Sequence, residues 1–266
     1  PLTVILPKRP HVHDVVTGGQ RTVGLRVPAH PLAHAVIKLL GTGVAAPSAN
    51  RFGRVSPTTA AHVREEFPDL YVIDGGACEV GIESTIVDCT RGAPVLLRPG
   101  VLTPEQLTQA CGVSVIDPRA APQARADAQA LNAPAPRASG TLESHYAPHA
   151  RLRLMSATDL ARELHAFIQQ TRGVPNPHSN APQPKVTLAV WARQSAIPLG
   201  VSTISPMPAH VYWQTMPNDA RTCAHELFAV LRAMDALGVA EIWVESPPAG
   251  AQWDGVRDRL SRASVR

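Results

Sequence analysis

Aromatic residues make up only 4% of this 266-residue chain, and they are not interleaved with Lys and Arg, so a base-stacking nucleic-acid platform is not supported. The four cysteines, Cys78, Cys89, Cys111 and Cys223, lie far apart without a CxxC pair, which argues against both a zinc site and a disulfide framework. A reduced, cytoplasmic setting is expected. No uninterrupted apolar run approaches the roughly 18 residues of a membrane span, and no charged-then-apolar signal segment opens the chain. The sequence therefore reads as a soluble protein with no membrane partner. Also missing are a GxGxxG after the first strand of the C-terminal half, a Ser-His-Asp or Cys-His set, and an internal repeat. His145 has no second ligand at metal-site spacing, so zinc chemistry finds no support there.

What is present is an apolar fraction of 44%, enough for cores, and 26 prolines, which call for many turns and a stiff linker. The length suits two compact units, since domains commonly run to about 100–150 residues. A formal net charge of +4, with scattered arginines, suits an anionic ligand. It leaves weak RNA binding and a plain solvated surface equally open.

Short β-rich runs alternate with helical ones in the first half: Leu2–Leu6, Thr22–Val27, a helix near Pro31–Leu40, then Gly43–Ala46. A helix is expected from Ser56-Pro57 to about Phe67, followed by strands Leu70–Asp74, Ser84–Asp88 and Val95–Arg98. Thr103, Pro104 and Gln106 form a capping-box pattern that opens a helix closing near Cys111. From Asp117 to Pro136 the chain is rich in Ala and Pro without periodicity and reads as linker. Beyond it, strands Arg151–Met155, Val186–Trp191, His210–Trp213 and Ile242–Glu245 alternate with helices Ala157–Gln170, Asp219–Leu237 and one through Leu260. That succession implies a small parallel, Rossmann-like sheet. The fold class is α/β. Its first unit is a mixed α+β domain with a twisted, partly parallel sheet (1–115), its linker is 116–150, and its second α/β unit is 151–266.

Chemistry concentrates in Ala46-Pro47-Ser48-Ala49-Asn50-Arg51-Phe52-Gly53-Arg54-Val55-Ser56. Small residues let a ligand approach the backbone. The Ser48 hydroxyl and Asn50 amide suit phosphate oxygens and a bridging metal. Alone, a Ser/Asn/Gly turn is more often structural punctuation than a site.

Four further motifs accompany it in order: Arg26 in LRVPAHP, Gly81-Ile82-Glu83-Ser84-Thr85-Ile86-Val87-Asp88, Leu97-Arg98-Pro99-Gly100, and Ser144-His145-Tyr146-Ala147-Pro148. Together they resemble the YrdC-like family in its long form, the threonylcarbamoyl-AMP synthases, in which a YrdC-like domain is linked to a smaller C-terminal α/β domain. The tail Trp253-Asp254-Gly255-Val256-Arg257-Asp258-Arg259-Leu260 is similar to the end of that long form.

The resemblance implies a nucleotidyltransferase that joins L-threonine, bicarbonate and ATP, with Mg²⁺, into threonylcarbamoyl-AMP and pyrophosphate. A downstream threonylcarbamoyl-transfer machinery then modifies adenosine 37 of tRNA. It places Thr22, Ser48, Asn50, Ser56, Arg98 and Tyr146 at ATP, and Arg26, Ala46 and Ser84 at L-threonine. Such a reaction rests on positioning and electrostatics, so no residue is expected as nucleophile or base. The linker is expected to fold over the site; Tyr146 either meets the nucleotide or anchors the linker. The resemblance also implies strands and a basic motif ahead of Pro1, so the chain reads as one cut inside a domain, with its activity in question. A non-catalytic RNA-binding module of the same fold is the alternative. The carbamoyl-transfer relative of hydrogenase maturation is disfavoured, because no acylphosphatase unit or zinc-finger cysteines are present.

Overall fold

The computed structural model describes residues 1–131, 134–140, 145–171, 186–193 and 208–265. Two four-stranded sheets organise it. In the first, β1 (Leu2–Pro7) pairs antiparallel with β2 (Thr22–Leu25) and parallel with β3 (Thr85–Asp88). β3 pairs antiparallel with β4 (Val95–Arg98), giving the order β2-β1-β3-β4. A bulge between Ile86 and Val87 interrupts the β3 ladder. Thr85–Asp88 is buried on both faces, as its run of β-branched residues requires.

The same half carries helices α1 (Asp14–Thr17), α2 (Pro31–Leu40), α3 (Ala60–Glu66) and α4 (Pro104–Cys111), of which α4 packs on the sheet through Leu107 against Val87 and Leu96. The capping box of α4 is formed, with Thr103 accepting from the Gln106 amide and the Gln106 side chain accepting from the Thr103 amide. α3 begins later than the sequence suggests. Ser56 is buried and gives its hydroxyl to Glu83, so Thr59 is left to cap the helix by accepting from the His62 amide.

Gly43–Ala46 and Leu70–Asp74, expected as strands, are irregular, since none of the described strands pairs with either. The expected linker contains a helix of its own, α5 (Pro122–Gln129). Pro122 starts it, and its Ala128 carbonyl accepts from Arg91, whose guanidinium also holds Asp88 at 2.6 Å. Local composition gave no amphipathic stripe; a buried tertiary partner supplies the order instead.

The second sheet is wholly parallel, in the order β5-β8-β6-β7, from Arg151–Met155, Glu241–Glu245, Leu188–Ala192 and Val211–Thr215. α6 (Ala157–Thr171) covers one face through Leu160, Leu164 and Ile168. α7 (Ala220–Ala236) and α8 (Asp254–Ser264) cover the other. α7 buries Leu227, Leu231 and Met234 at helical spacing and is capped by Asp219.

This second core reaches into the first unit, where Val55, Ile82 and Tyr146 pack with Leu227, Phe228, Val256 and Leu260. The approach is close enough to need glycine. A Cβ on Gly81 would run into the His225 carbonyl of α7, and one on Gly255 would lie 2.8 Å from the Gly100 carbonyl. α7 and α8 therefore press directly on the motifs that carry the site.

Candidate functional site

Ser84 sits at the head of β3, where its hydroxyl is 2.6 Å from that of Thr3 on the neighbouring strand. Behind it lies Arg98, the last residue of β4 and only 5% exposed. Its Nε and Nη2 donate to the Ser84 carbonyl at 3.2 and 3.0 Å, and its Nη1 donates to the Ser139 carbonyl in the linker at 2.9 Å. Planar fork geometry lets one guanidinium hold a strand end and a linker together. In this conformation Arg98 faces backbone oxygens.

Glu83, beside Ser84, collects the other polar groups. Its Oε1 accepts the Ser56 hydroxyl at 2.7 Å, and its Oε2 accepts Arg259 Nε at 2.8 Å. Burial alone would raise this carboxyl. The Arg259 charge, the two hydrogen bonds and Arg98 outweigh burial and hold it below its ordinary value. It is an anion at neutral pH, and it fixes Ser56.

The 46–56 loop lies alongside. Ala46 and Ser48 are exposed, and Ala49 adopts a left-handed conformation at φ 55°, which turns the chain between Ser48 and Asn50. Asn50 Nδ2 donates to the carbonyls of Arg51 and Arg54 at 2.9 and 3.1 Å, which fixes the amide's orientation. Its Oδ1 is then a buried acceptor without a partner. A phosphate oxygen has no proton to give that atom; a water or other donor could hydrogen-bond to it, or a cation could coordinate it.

The linker closes over this loop. Ala147 donates to the Gly53 carbonyl at 2.9 Å and bridges Arg54, while the His145 amide donates to the Arg262 carbonyl of α8 at 3.3 Å. Tyr146, at φ 63° and 1% exposed, stacks toward Phe228 with centroids 5.3 Å apart. Its hydroxyl and His145 Nδ1 are buried without partners. Burial, with Arg262, Arg98 and Arg259 nearby, pushes the His145 pKa down despite the Glu83 charge. A Cβ added at Gly140, which has φ 70°, would come within 2.2 Å of the Tyr146 hydroxyl and 2.9 Å of Arg98 Nη1, so a side chain there would collide. Ser144 lies outside the described residues.

Thr22 and Arg26 lie further out, at the start and just past the end of edge strand β2; Arg26 is exposed. Gly24 between them pairs with Ile5 of β1, and a Cβ added there would meet the methyl of Thr3, whose hydroxyl contacts Ser84, at 3.4 Å. Ser56, Ser84, Arg98 and Tyr146 thus share one packed network, with Asn50 joined to it through the loop. Thr22, Arg26, Ala46 and Ser48 rim it without a side-chain hydrogen bond into it among the described residues. Sequence reasoning quoted Glu83 and Arg259 within motifs but gave neither a role, and it missed Thr3. An acid in a β-rich run and an arginine on an apolar helix face were the only signals. A separate cavity of about 530 Å³, lined by Asp117, Arg119 and Asp254 among others, contains none of these residues.

Together these features define an α/β protein with one mixed and one parallel sheet, in which helices of the second sheet and residues 145–147 pack against the segments bearing Ser56, Ser84 and Arg98. The family described as "Telomere recombination" matches residues 1–100, and "Threonylcarbamoyl-AMP synthase, C-terminal domain" matches 102–265. Threonylcarbamoyl-AMP synthase of Pyrococcus abyssi is 33% identical over 99% of this chain and 70% of its own length. That of Bacillus subtilis is 40% identical over 58% of this chain and 42% of its own length. The crystal structure of P. abyssi Sua5 complexed with L-threonine superposes with a TM-score of 0.71 at 29% identity, covering 99% of this chain and 70% of that one. The chain belongs to the threonylcarbamoyl-AMP synthase family.

Proposed function

We propose that this protein is an L-threonylcarbamoyladenylate synthase, which forms threonylcarbamoyl-AMP and pyrophosphate from L-threonine, bicarbonate and ATP. The observation that carries the reading is the near-complete match to a synthase relative and to a structure holding L-threonine, with Ser56, Ser84, Arg98 and Tyr146 assembled in one network. The product serves threonylcarbamoylation of adenosine 37 in tRNA by a separate transfer machinery, in the cytoplasm.

In this reading ATP lies along the 46–56 loop, with Ser48, Asn50, Ser56, Arg98, Tyr146 and Thr22 around it. L-threonine lies between Arg26, Ala46 and Ser84, the arginine facing its carboxylate. The unpartnered Asn50 Oδ1 and the Ser48 hydroxyl are the oxygens this loop would offer a Mg²⁺ ion bound with the nucleotide, which would offset the phosphates' negative charge. The chain holds the carbamate oxygen in line with the α-phosphorus and offers positive charge as pyrophosphate leaves; positioning carries the step. The buried Tyr146 and the half-buried His145 would shield the labile product from water.

Pyrophosphate release that needs both threonine and bicarbonate tests the proposal. Turnover indifferent to threonine would overturn it. Salt-sensitive RNA affinity without ATP binding would point instead to the RNA-binding module.

A further inference from the structure

Arg259 sits on α8 of the second unit, is fully buried, and makes all but one of its hydrogen bonds to Glu83 and Pro99, next to site residues. Its Nε donates to Glu83 Oε2 at 2.8 Å, which leaves Glu83 Oε1 for the Ser56 hydroxyl. Its Nη2 donates to the Glu83 carbonyl at 3.3 Å, one residue before Ser84. Its Nη1 donates to the Pro99 carbonyl at 2.8 Å, one residue after Arg98, and to Asp258 at 2.9 Å. Its guanidinium carbon lies 5.5 Å from the centre of the Tyr146 ring. One planar group thus touches the segments bearing Ser84 and Arg98, the acid that holds Ser56, and the linker tyrosine.

We infer that Arg259 is a positioning residue for the reaction, through which the second unit sets the geometry of the nucleotide and threonine contacts before substrate arrives. The inference rests on the proposed function for the roles of Ser56, Ser84 and Tyr146, but the clamp is a property of the folded chain. A mere stabilising ion pair would need Glu83 alone; the two backbone carbonyls and the stacked ring go beyond that. They demand the several fixed donors of a guanidinium, which the single ammonium of lysine cannot reproduce. The Glu83 charge also favours the charged form of the second buried cation, Arg98, which holds the Ser84 carbonyl at the same strand end.

The test compares the wild-type chain with Arg259→Lys and with the double variant Glu83→Gln/Arg259→Met. The double variant removes the Glu83–Arg259 pair as a unit and leaves Asp258 held by Arg262, while Arg98 loses the Glu83 charge, so the thermal midpoint is read beside every affinity. Three quantities are read: thermal midpoint, calorimetric affinity for L-threonine and ATP, and amide hydrogen exchange at 82–86 and 145–148 without ligand. The double variant is expected to fold with a lowered thermal midpoint, to bind threonine at least tenfold more weakly, about 1.4 kcal/mol, and to exchange faster in those two segments. Arg259→Lys is expected to shift the same way by less, and it decides the matter if the double variant does not fold. Unchanged affinity and exchange in a folded variant would overturn the inference. If wild type binds no threonine, the proposed function falls, and hydrogen exchange alone decides whether Arg259 orders the site.

Discussion

Arg232 Nη2, on α7 of the second unit, donates to the carbonyl of Val55 at 2.7 Å across 177 positions of sequence, while its Nε reaches the Ser56 carbonyl at 3.2 Å. The same guanidinium is ion-paired with Glu66 on α3. The exit of the 46–56 loop is therefore pinned by a helix that belongs to the other sheet.

Replacing Arg232 by methionine should free that exit and leave Glu66 without its cation. Both side chains are mostly but not wholly buried, so a stability loss of about 2 kcal/mol is expected, below the range for fully buried pairs. Chemical denaturation measures it. Nucleotide affinity should fall severalfold, while threonine affinity, resting on Arg26 and Ser84, should fall less. An equal fall in both would show that Arg232 acts on the whole site.

The Glu83 carboxyl titrates below its ordinary value of 4.5 because the Arg259 and Ser56 contacts overcome its burial. A depressed acid stabilises the fold above its unfolded pKa, and that contribution is lost as pH falls through the lower folded value. Stability should therefore decline in the acid range below about pH 4.5. Glu83→Gln should flatten that part of the profile while lowering stability at pH 7. Denaturation midpoints across pH 3–7 check it; an unchanged slope in the variant would refute the assignment.

Tyr146 offers a sharper contrast. Its hydroxyl is buried and unpartnered in the free chain, so Tyr146→Phe removes an unsatisfied group and should be neutral or stabilising by about 1 kcal/mol. If ATP or a substrate-ordered water is the missing partner, affinity for ATP should drop about three- to tenfold in the same variant. Differential scanning calorimetry and titration with ATP give the two numbers. A destabilised variant with normal ATP affinity would make the linker tyrosine an anchor only.

Gly81→Ala probes the contact between units. Gly81 has φ 79°, and an added Cβ would strike the backbone of α7 at His225 and Ala224. The strained conformation and the collision together should cost about 3 kcal/mol or more. The loss should appear as weaker docking of 79–84 on α7, seen as faster exchange there and easier proteolysis, with the parallel sheet of the second unit intact. Wild-type protection in that segment would contradict the packing described.

The second unit was nearly all legible from the chain. Its strands and helices are periodic, long and buried against each other, so hydrophobic spacing alone located β5 to β8 and α6 to α8. In the first unit the errors fell where partners decide. Ser56 reads as a helix cap until Glu83 claims its hydroxyl; beyond that unit, the segment read as linker carries the helix Pro122–Gln129, whose Ala128 carbonyl Arg91 holds. The motif residues Ser84, Arg98 and Tyr146 were legible through resemblance. What could not be read was that Arg98 faces the Ser84 and Ser139 carbonyls, because a side chain's hydrogen-bond partners come from residues distant in sequence.

The sequence by itself determined the α/β class, the absence of a CxxC site, and the five ordered motifs with the 46–56 loop at their centre. Those are local: they depend on residue type, spacing and periodicity. Only the tertiary structure decided that Glu83 and Arg259 join the loop, the strand end and the linker into one network across two units. The reason is physical. A carboxylate and a guanidinium on segments 176 residues apart have no signature in spacing; burial in a shared low-dielectric site is what obliges each to find the other.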